Sequence, residues 1–318
     1  MYNEPIFLKP VFKERIWGGS SLQREFGYDI PNELTGECWG ISAHANGPNE
    51  IINGPLAGQT LSTAWNNHRE LFANHQSTDF PLLVKILDAN NDLSVQVHPN
   101  DHKAQQLEGE TYGKTECWYI ISAEEDAEII YGHHASSKEQ FEEMVQQGQW
   151  DDLLTSVKVK AGDFFYVPSG TIHAIGKGMM ILETQQSSDR TYRVYDYDRT
   201  DAQGNTRELH IDKAIEVSTI PHVDANFGRV VRSKLGFRGE TLVSEDNFTV
   251  YKWEIDGEVE ETNRDNFLLV SVIDGDGTVV TVDHHQSRIK KGDHFIIPST
   301  INAFQLEGKM TCIVSHPS

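Results

Sequence analysis

Two stretches of this chain read almost alike. Residues 161–175 are AGDFFYVPSGTIHAI and residues 291–304 are KGDHFIIPSTINAF. Both run Gly-Asp, an aromatic or apolar strand, Val/Ile-Pro-Ser, and then a turn into another strand. The simplest account is two β units of one kind. Aligning Gly162 with Gly292 and Pro168 with Pro298 sets Thr300 against Gly170 and Ala303 against His173. One unit offers an imidazole where the other has a methyl group. The expectation is one active unit with a single metal site and one structural unit.

The rest of the chain fits that frame. Short β-branched and aromatic runs recur at 81–87, 93–97, 117–122, 127–131, 163–167, 179–183, 267–273, 278–282 and 294–298, separated by Gly, Pro, Asn and Asp. Such spacing predicts a mainly β fold of two sandwich or jelly-roll units. Helical periodicity is confined to 61–75, 100–109, 138–157 and 210–218. The run at 138–157 interrupts the strand series and reads as a helical insertion in the first unit. The looser segment at 218–235 marks the boundary, which predicts domains at 1–225 and 226–318.

Composition narrows the partners. Lys and Arg number 27 against 48 Asp and Glu, a formal charge of −21. That field repels phosphate backbones and anionic lipids, so nucleic acid and membrane surfaces are poor partners. An anionic substrate needs a local basic pocket. Three widely spaced cysteines (Cys38, Cys117, Cys312) make no CxxC pair. They argue against a disulfide framework or a cysteine-built zinc site and for a cytoplasmic setting. The N-terminal residues lack the apolar run of a signal peptide, and FPLLVKIL at 80–87 is too short to span a bilayer. Monomer and homo-oligomer are both compatible with the sequence.

Gly162-x5-Pro168-x-Gly170-x2-His173 has the spacing of the second cupin motif. Upstream, Gln96 and His98 alternate on one predicted strand, so their side chains share a face. Glu116 heads the next strand in GKTECWYII. Two imidazoles, a carboxylate and an amide oxygen suit one Zn²⁺ with room for water or substrate. Taken singly these residues are unremarkable, since a His before Pro99 is an ordinary turn residue; the conjunction carries the reading. The pairs His133-His134 and His284-His285 would point to opposite faces of a strand, which argues against chelation. No Gly-rich phosphate loop opens a helix.

The stretches FPLLVKILDANNDLSVQVHPND, YGKTECWYII and AGDFFYVPSGTIHAIGKGMMILETQQSSDRTYRVYDYDR, in that order, resemble the type I mannose-6-phosphate isomerase (phosphomannose isomerase) family in its short bacterial form. The resemblance implies zinc ligands at Gln96, His98, Glu116 and His173, and places the family's essential arginine at Arg193. Residues after Arg193 depart from the family pattern, which leaves Arg199 as a loose counterpart of a family lysine. The implied reaction interconverts mannose 6-phosphate and fructose 6-phosphate, moving a proton between C1 and C2 through an enediol(ate). Arg193 would stabilise the growing negative charge. Lys114 and Asp189 are candidate proton-transfer or positioning groups, and the sequence does not choose between them. Lys85, with Ser94, could hold the phosphate. Two other functions fit parts of the pattern. A non-catalytic sugar-phosphate-binding cupin would keep the pocket without turnover. An Fe(II) cupin dioxygenase would share the ligand geometry, but such sites usually place His where Gln96 stands.

Overall fold

The computed structural model describes residues 2–200, 203–263 and 266–318. It contains twenty strands among these residues. They begin with β1 (Ile6–Lys9), β2 (Val11–Gly19), β3 (Thr35–Ile41), β4 (Glu50–Ile51), β5 (Leu82–Ala89), β6 (Val95–Val97) and β7 (Glu116–Ala123). There follow β8 (Glu128–His133), β9 (Leu154–Lys158), β10 (Phe164–Val167), β11 (His173–Ile175), β12 (Met179–Gln186) and β13 (Tyr192–Tyr195). The last group is β14 (Val230–Lys234), β15 (Phe237–Ser244), β16 (Phe248–Thr262), β17 (Leu268–Thr281), β18 (Gln286–Lys290), β19 (His294–Ile297) and β20 (Ala303–Pro317).

The fold is mainly β, as the sequence predicts, and is arranged in three antiparallel sheets. A six-stranded sheet runs β10-β7-β12-β5-β3-β2, and a five-stranded sheet runs β13-β6-β11-β8-β9. Strand alternation packs the two face to face. On β5, Val84 and Ile86 enter the core shared with the C-terminal strands, while Leu87 joins Trp17, Trp118, Ile129, Val167 and Ile181 inside the sandwich. The outer face of the five-stranded sheet (Val95, Val97, Ala174, Tyr192) is covered by Phe141, Leu153, Ala214 and Ile215 from helical segments 138–146, 150–153 and 211–217. No helix among the described residues is long and apolar enough to cross a membrane.

The third sheet runs β14-β15-β16-β20-β17-β19-β1-β4, with β18 paired to β17. Its first-half members are β1, with Ile6 opposite Ile296, and β4, with Ile51 opposite Leu8. A cut at 225/226 therefore separates hydrogen-bonded neighbours.

Local structure departs from the sequence expectations in three places. The 138–157 run is helical only to Leu153. Leu154–Lys158 instead pairs with β8, because Gly148 ends the longer helix and Thr155 and Val157 suit a pleat. The runs at 267–273 and 278–282 are one strand, β17, with a register irregularity between Val272 and Asp274. The 61–75 pattern breaks at His68 into a 3₁₀ turn, Arg69–Phe72. The internal repeat is visible in the fold: Thr300 and Ala303 occupy the turn and strand start that Gly170 and His173 occupy in the first unit.

Candidate functional site

The turn Pro168–Gly170 positions His173. Gly170 has φ +89°, a conformation that favours glycine, and an added Cβ would lie 2.6 Å from Thr219 Oγ1. Its N–H donates to His98 O at 2.9 Å, tying the turn to the residue that directly follows β6, one position beyond the strand end. Gln96 on β6 lies between two partners in register, His173 on β11 and Arg193 on β13. All three side chains are thereby directed to the same face. Glu116 opens β7 on the facing sheet.

Gln96, His98, Glu116 and His173 converge in the sandwich interior. Nε2 of His98 is 3.5 Å from Glu116 Oε2, and Nε2 of His173 is 3.3 Å from Oε1. The Gln96 side-chain amide is 3.5 Å and 3.4 Å from the same two ring nitrogens. A tetrahedral shell with bonds near 2.05 Å has donor–donor edges of about 3.3–3.4 Å; these separations are close to that, and one atom each of His98, Glu116 and His173 lies within 4.8 Å of the others, so small shifts would close the set on a cation. The histidines are already in the right tautomer. Nδ1 of His98 donates to Arg190 O at 2.9 Å and Nδ1 of His173 to Thr171 O at 2.8 Å, which leaves both Nε2 lone pairs facing inward. Burial holds both rings neutral, lowering His173 to about 4 and His98 well below the usual histidine value. Oε2 of Glu116 is buried and accepts no well-directed hydrogen bond, although Lys114 Nζ is 3.0 Å away. Turning the Gln96 amide over would present its oxygen to a cation, in keeping with the chemistry of the other donors.

A cavity of about 320 Å³ opens beside this cluster. Lys85, Ser94, Gln96, Lys114, Asp189 and Arg193 all line it. A larger cavity of about 460 Å³, near Trp65 and Tyr112, contains none of the ligand residues. Lys114 precedes β7, with its Nζ 3.2 Å from His98 Nε2. Burial opposes its charge, but Glu116 and Glu183 outweigh burial and raise its pKa above the lysine norm. Asp189 is exposed and accepts from Asn46 Nδ2 at 3.2 Å. Lys85 Nζ is 3.5 Å from Glu183 Oε1, its partner across the β5–β12 ladder, and lies over the Trp39 ring. Ser94 Oγ accepts from Arg193 Nε at 3.2 Å. Lys85 and Ser94 therefore engage different neighbours. Arg199 does not line the cavity; it bonds Asp196 and Asp92 O.

Three contributors escaped the sequence reading. Glu183 is buried, lines the cavity and accepts from Trp118 Nε1 at 3.2 Å. Burial, and then Glu116, push its carboxyl above the usual range. Its place within an apolar strand run was the available signal, since a lone acid there needs a partner. Arg15, paired twice with Glu37 at 2.9 and 3.0 Å, comes from a strand absent from the sequence reading. Arg207 lines the cavity from a polar loop that gave no signal.

Known proteins share both the sequence and this architecture. The family model for the catalytic domain of type I phosphomannose isomerases matches residues 6–116, and that for the mannose-6-phosphate isomerase cupin domain matches residues 239–317. Mannose-6-phosphate isomerase of Streptococcus mutans is 56% identical over 313 residues, 98% of each chain. Mannose-6-phosphate isomerase ManA of Bacillus subtilis is 52% identical over 316 residues, 99% of this chain and 100% of that one. The crystal structure of the mannose 6-phosphate isomerase from Bacillus subtilis superposes with a TM-score of 0.96 at 52% identity, covering 98% of this chain and 99% of that chain. A variant of the phosphomannose isomerase from Salmonella typhimurium, at 14% identity, shares the fold with a TM-score of 0.79 over 99% of this chain and 100% of that one. The chain belongs to the type I phosphomannose isomerase family.

Proposed function

We propose that this protein is a zinc-dependent aldose–ketose isomerase that interconverts D-mannose 6-phosphate and D-fructose 6-phosphate through an enediol(ate). The observation that supports the reading is the buried group His98, Glu116 and His173, with the Gln96 amide 3.5 and 3.4 Å from the two rings, opening on a cavity lined by Lys85, Lys114 and Arg193. Gln96, His98, Glu116 and His173 would hold one Zn²⁺ per chain, which when bound supplies Lewis acidity toward the sugar oxygens at C1 and C2.

The protein groups divide the remaining work. Arg193, next to Gln96 in register, places a guanidinium where negative charge grows on the O1/O2 pair. Lys114 stays protonated beside Glu116 and positions or donates rather than abstracts. Glu183, whose carboxyl burial and then Glu116 hold above the usual range and which lines the cavity, is the proton acceptor of the inner wall. Asp189, at the rim, is a positioning group. Lys85 and Ser94 bind substrate from opposite sheets.

A coupled assay for fructose 6-phosphate formed from mannose 6-phosphate, with metal analysis of the same sample, tests this. Turnover with one zinc per chain, abolished by chelator and restored by zinc, is expected. A zinc-loaded, folded protein that does not turn over would refute the isomerase reading, and one iron per chain would refute the zinc assignment.

A further inference from the structure

The cavity is electrostatically lopsided. At its inner end each cation has its own carboxylate: Lys85 with Glu183, Lys114 with Glu116, and Arg15 with Glu37. Arg190, on the rim, is held by Glu110 and lies 3.7 Å from Glu108. The end beyond Ser94 is different. Arg193 donates to Ser94 Oγ and to Glu208 O at 2.8 Å, a hydroxyl and a carbonyl. Arg207 and Arg199 share the single buried carboxylate of Asp196, with Arg207 Nε 2.7 Å from Oδ2 and Arg199 Nη2 2.5 Å from Oδ1. Arg207 and Arg199 against this one buried carboxylate leave a local surplus of one positive charge, next to Arg193, in a protein of net charge −21. The crowding is felt at Arg193, whose pKa is lowered by burial and then by Arg207. Of the two arginines on Asp196, only Arg207 lines the cavity.

We infer that Arg207 is a contact for the substrate's phosphate and that Asp196 is the positioning residue that aims it. This rests on the sugar-phosphate reading above and adds to it a residue and its support. This surplus favours a phosphate dianion over a neutral group. The carboxylate of Asp196 engages the Nε/Nη2 edge of Arg207 and so fixes the plane of the fork. Ser94, two residues before Gln96 and hydrogen-bonded to Arg193, joins this end to the metal cluster. An open-chain hexose 6-phosphate would then lie with C1 and C2 at the cluster and its phosphate at Arg207.

The test uses inorganic phosphate as the probe, bound to the intact protein and followed by calorimetry, alongside KM and kcat for mannose 6-phosphate. Arg207→Ala is expected to weaken phosphate binding and raise KM by tenfold or more, the scale of a lost charge-assisted hydrogen bond, with kcat within about threefold. Arg207→Lys should recover part of that loss. Asp196→Asn should raise KM while leaving kcat, as a positioning role requires. Arg199→Ala removes equal charge from the same carboxylate outside the cavity and should weaken binding less than Arg207→Ala does. Phosphate affinity unchanged in Arg207→Ala, or weakened equally by Arg199→Ala, overturns the inference. The calorimetric readout does not depend on turnover, so absence of isomerase activity with phosphate binding lost in Arg207→Ala would sink only the reaction and leave this site standing.

Discussion

His294 does not line the cavity and offers a clean measure of what burial does to an imidazole. Its side chain is 1% exposed and packs against the backbone of β3, where a Cβ at Gly40 would fall 2.4 Å from the ring. Tyr28 Oη donates to Gly292 O at 2.7 Å, so it accepts from His294 Nε2 at 3.0 Å, and Ser271 Oγ donates to Nδ1 at 2.8 Å. Every polar atom of the neutral ring is satisfied, and burial lowers its pKa from 6.5 to about 4. Below pH 6.5 the unfolded chain takes up a proton that the folded chain refuses, so stability falls with pH until the folded value is reached. At about 1.4 kcal/mol per pH unit between the two values, the whole window is worth roughly 3 kcal/mol, of which roughly 2 kcal/mol is lost between about pH 7 and about pH 5. Urea unfolding of wild type and His294→Gln, side by side at those two pH values, isolates this contribution because the other groups titrate in both proteins. The variant should be the less stable at the higher pH, and its deficit should shrink by about 2 kcal/mol at the lower one. A deficit independent of pH would refute the reasoning.

The remaining predictions concern the site. Trp118→Phe removes the N–H that bonds Glu116 at 3.0 Å and Glu183 at 3.2 Å; zinc affinity, read by chelator competition, should drop about 10–100-fold, and an unchanged affinity would show that Glu116 needs no such support. Arg193→Ala should cut kcat by about 10²–10³ with KM nearly constant, and Arg193→Lys should rescue only in part; a raised KM with intact kcat would move Arg193 to the phosphate. Lys85→Met should raise KM and also lower the melting temperature, by a destabilisation of order 3 kcal/mol, because Glu183 and Glu37 are left as neighbouring buried carboxylates; a variant as stable as wild type would contradict that account.

Legibility in the sequence followed the range of the interaction. The turn before His173 was readable because Gly162, Pro168 and Gly170 each impose a backbone state locally, and Gln96 and His98 were readable because a strand alternates. The capping of 101–108 by Asn100, which accepts from Lys103 N, is equally local. Long-range pairing left no such mark. Nothing in Leu154–Lys158 announces that it will pair with β8. Nothing in Ile6–Lys9 announces a partner near the other end of the chain. Arg207 stayed hidden for the same reason, since a loop residue acquires its role only when the fold places Asp196 beside it.

The pairing of β1 with β19 has a consequence for how the molecule comes into being. Ile6 meets Ile296, so the two strands are brought together across most of the sequence between them. β4 can pair with β1 soon after both are made, but the β1 edge that meets β19 stays open to other chains until a far later segment emerges. Contacts of such sequence separation also slow closure of the sheet. The C-terminal sheet is thus completed by Ile6–Lys9 from the first half. A fragment beginning at 230 would expose the β19 edge that β1 covers in the intact protein.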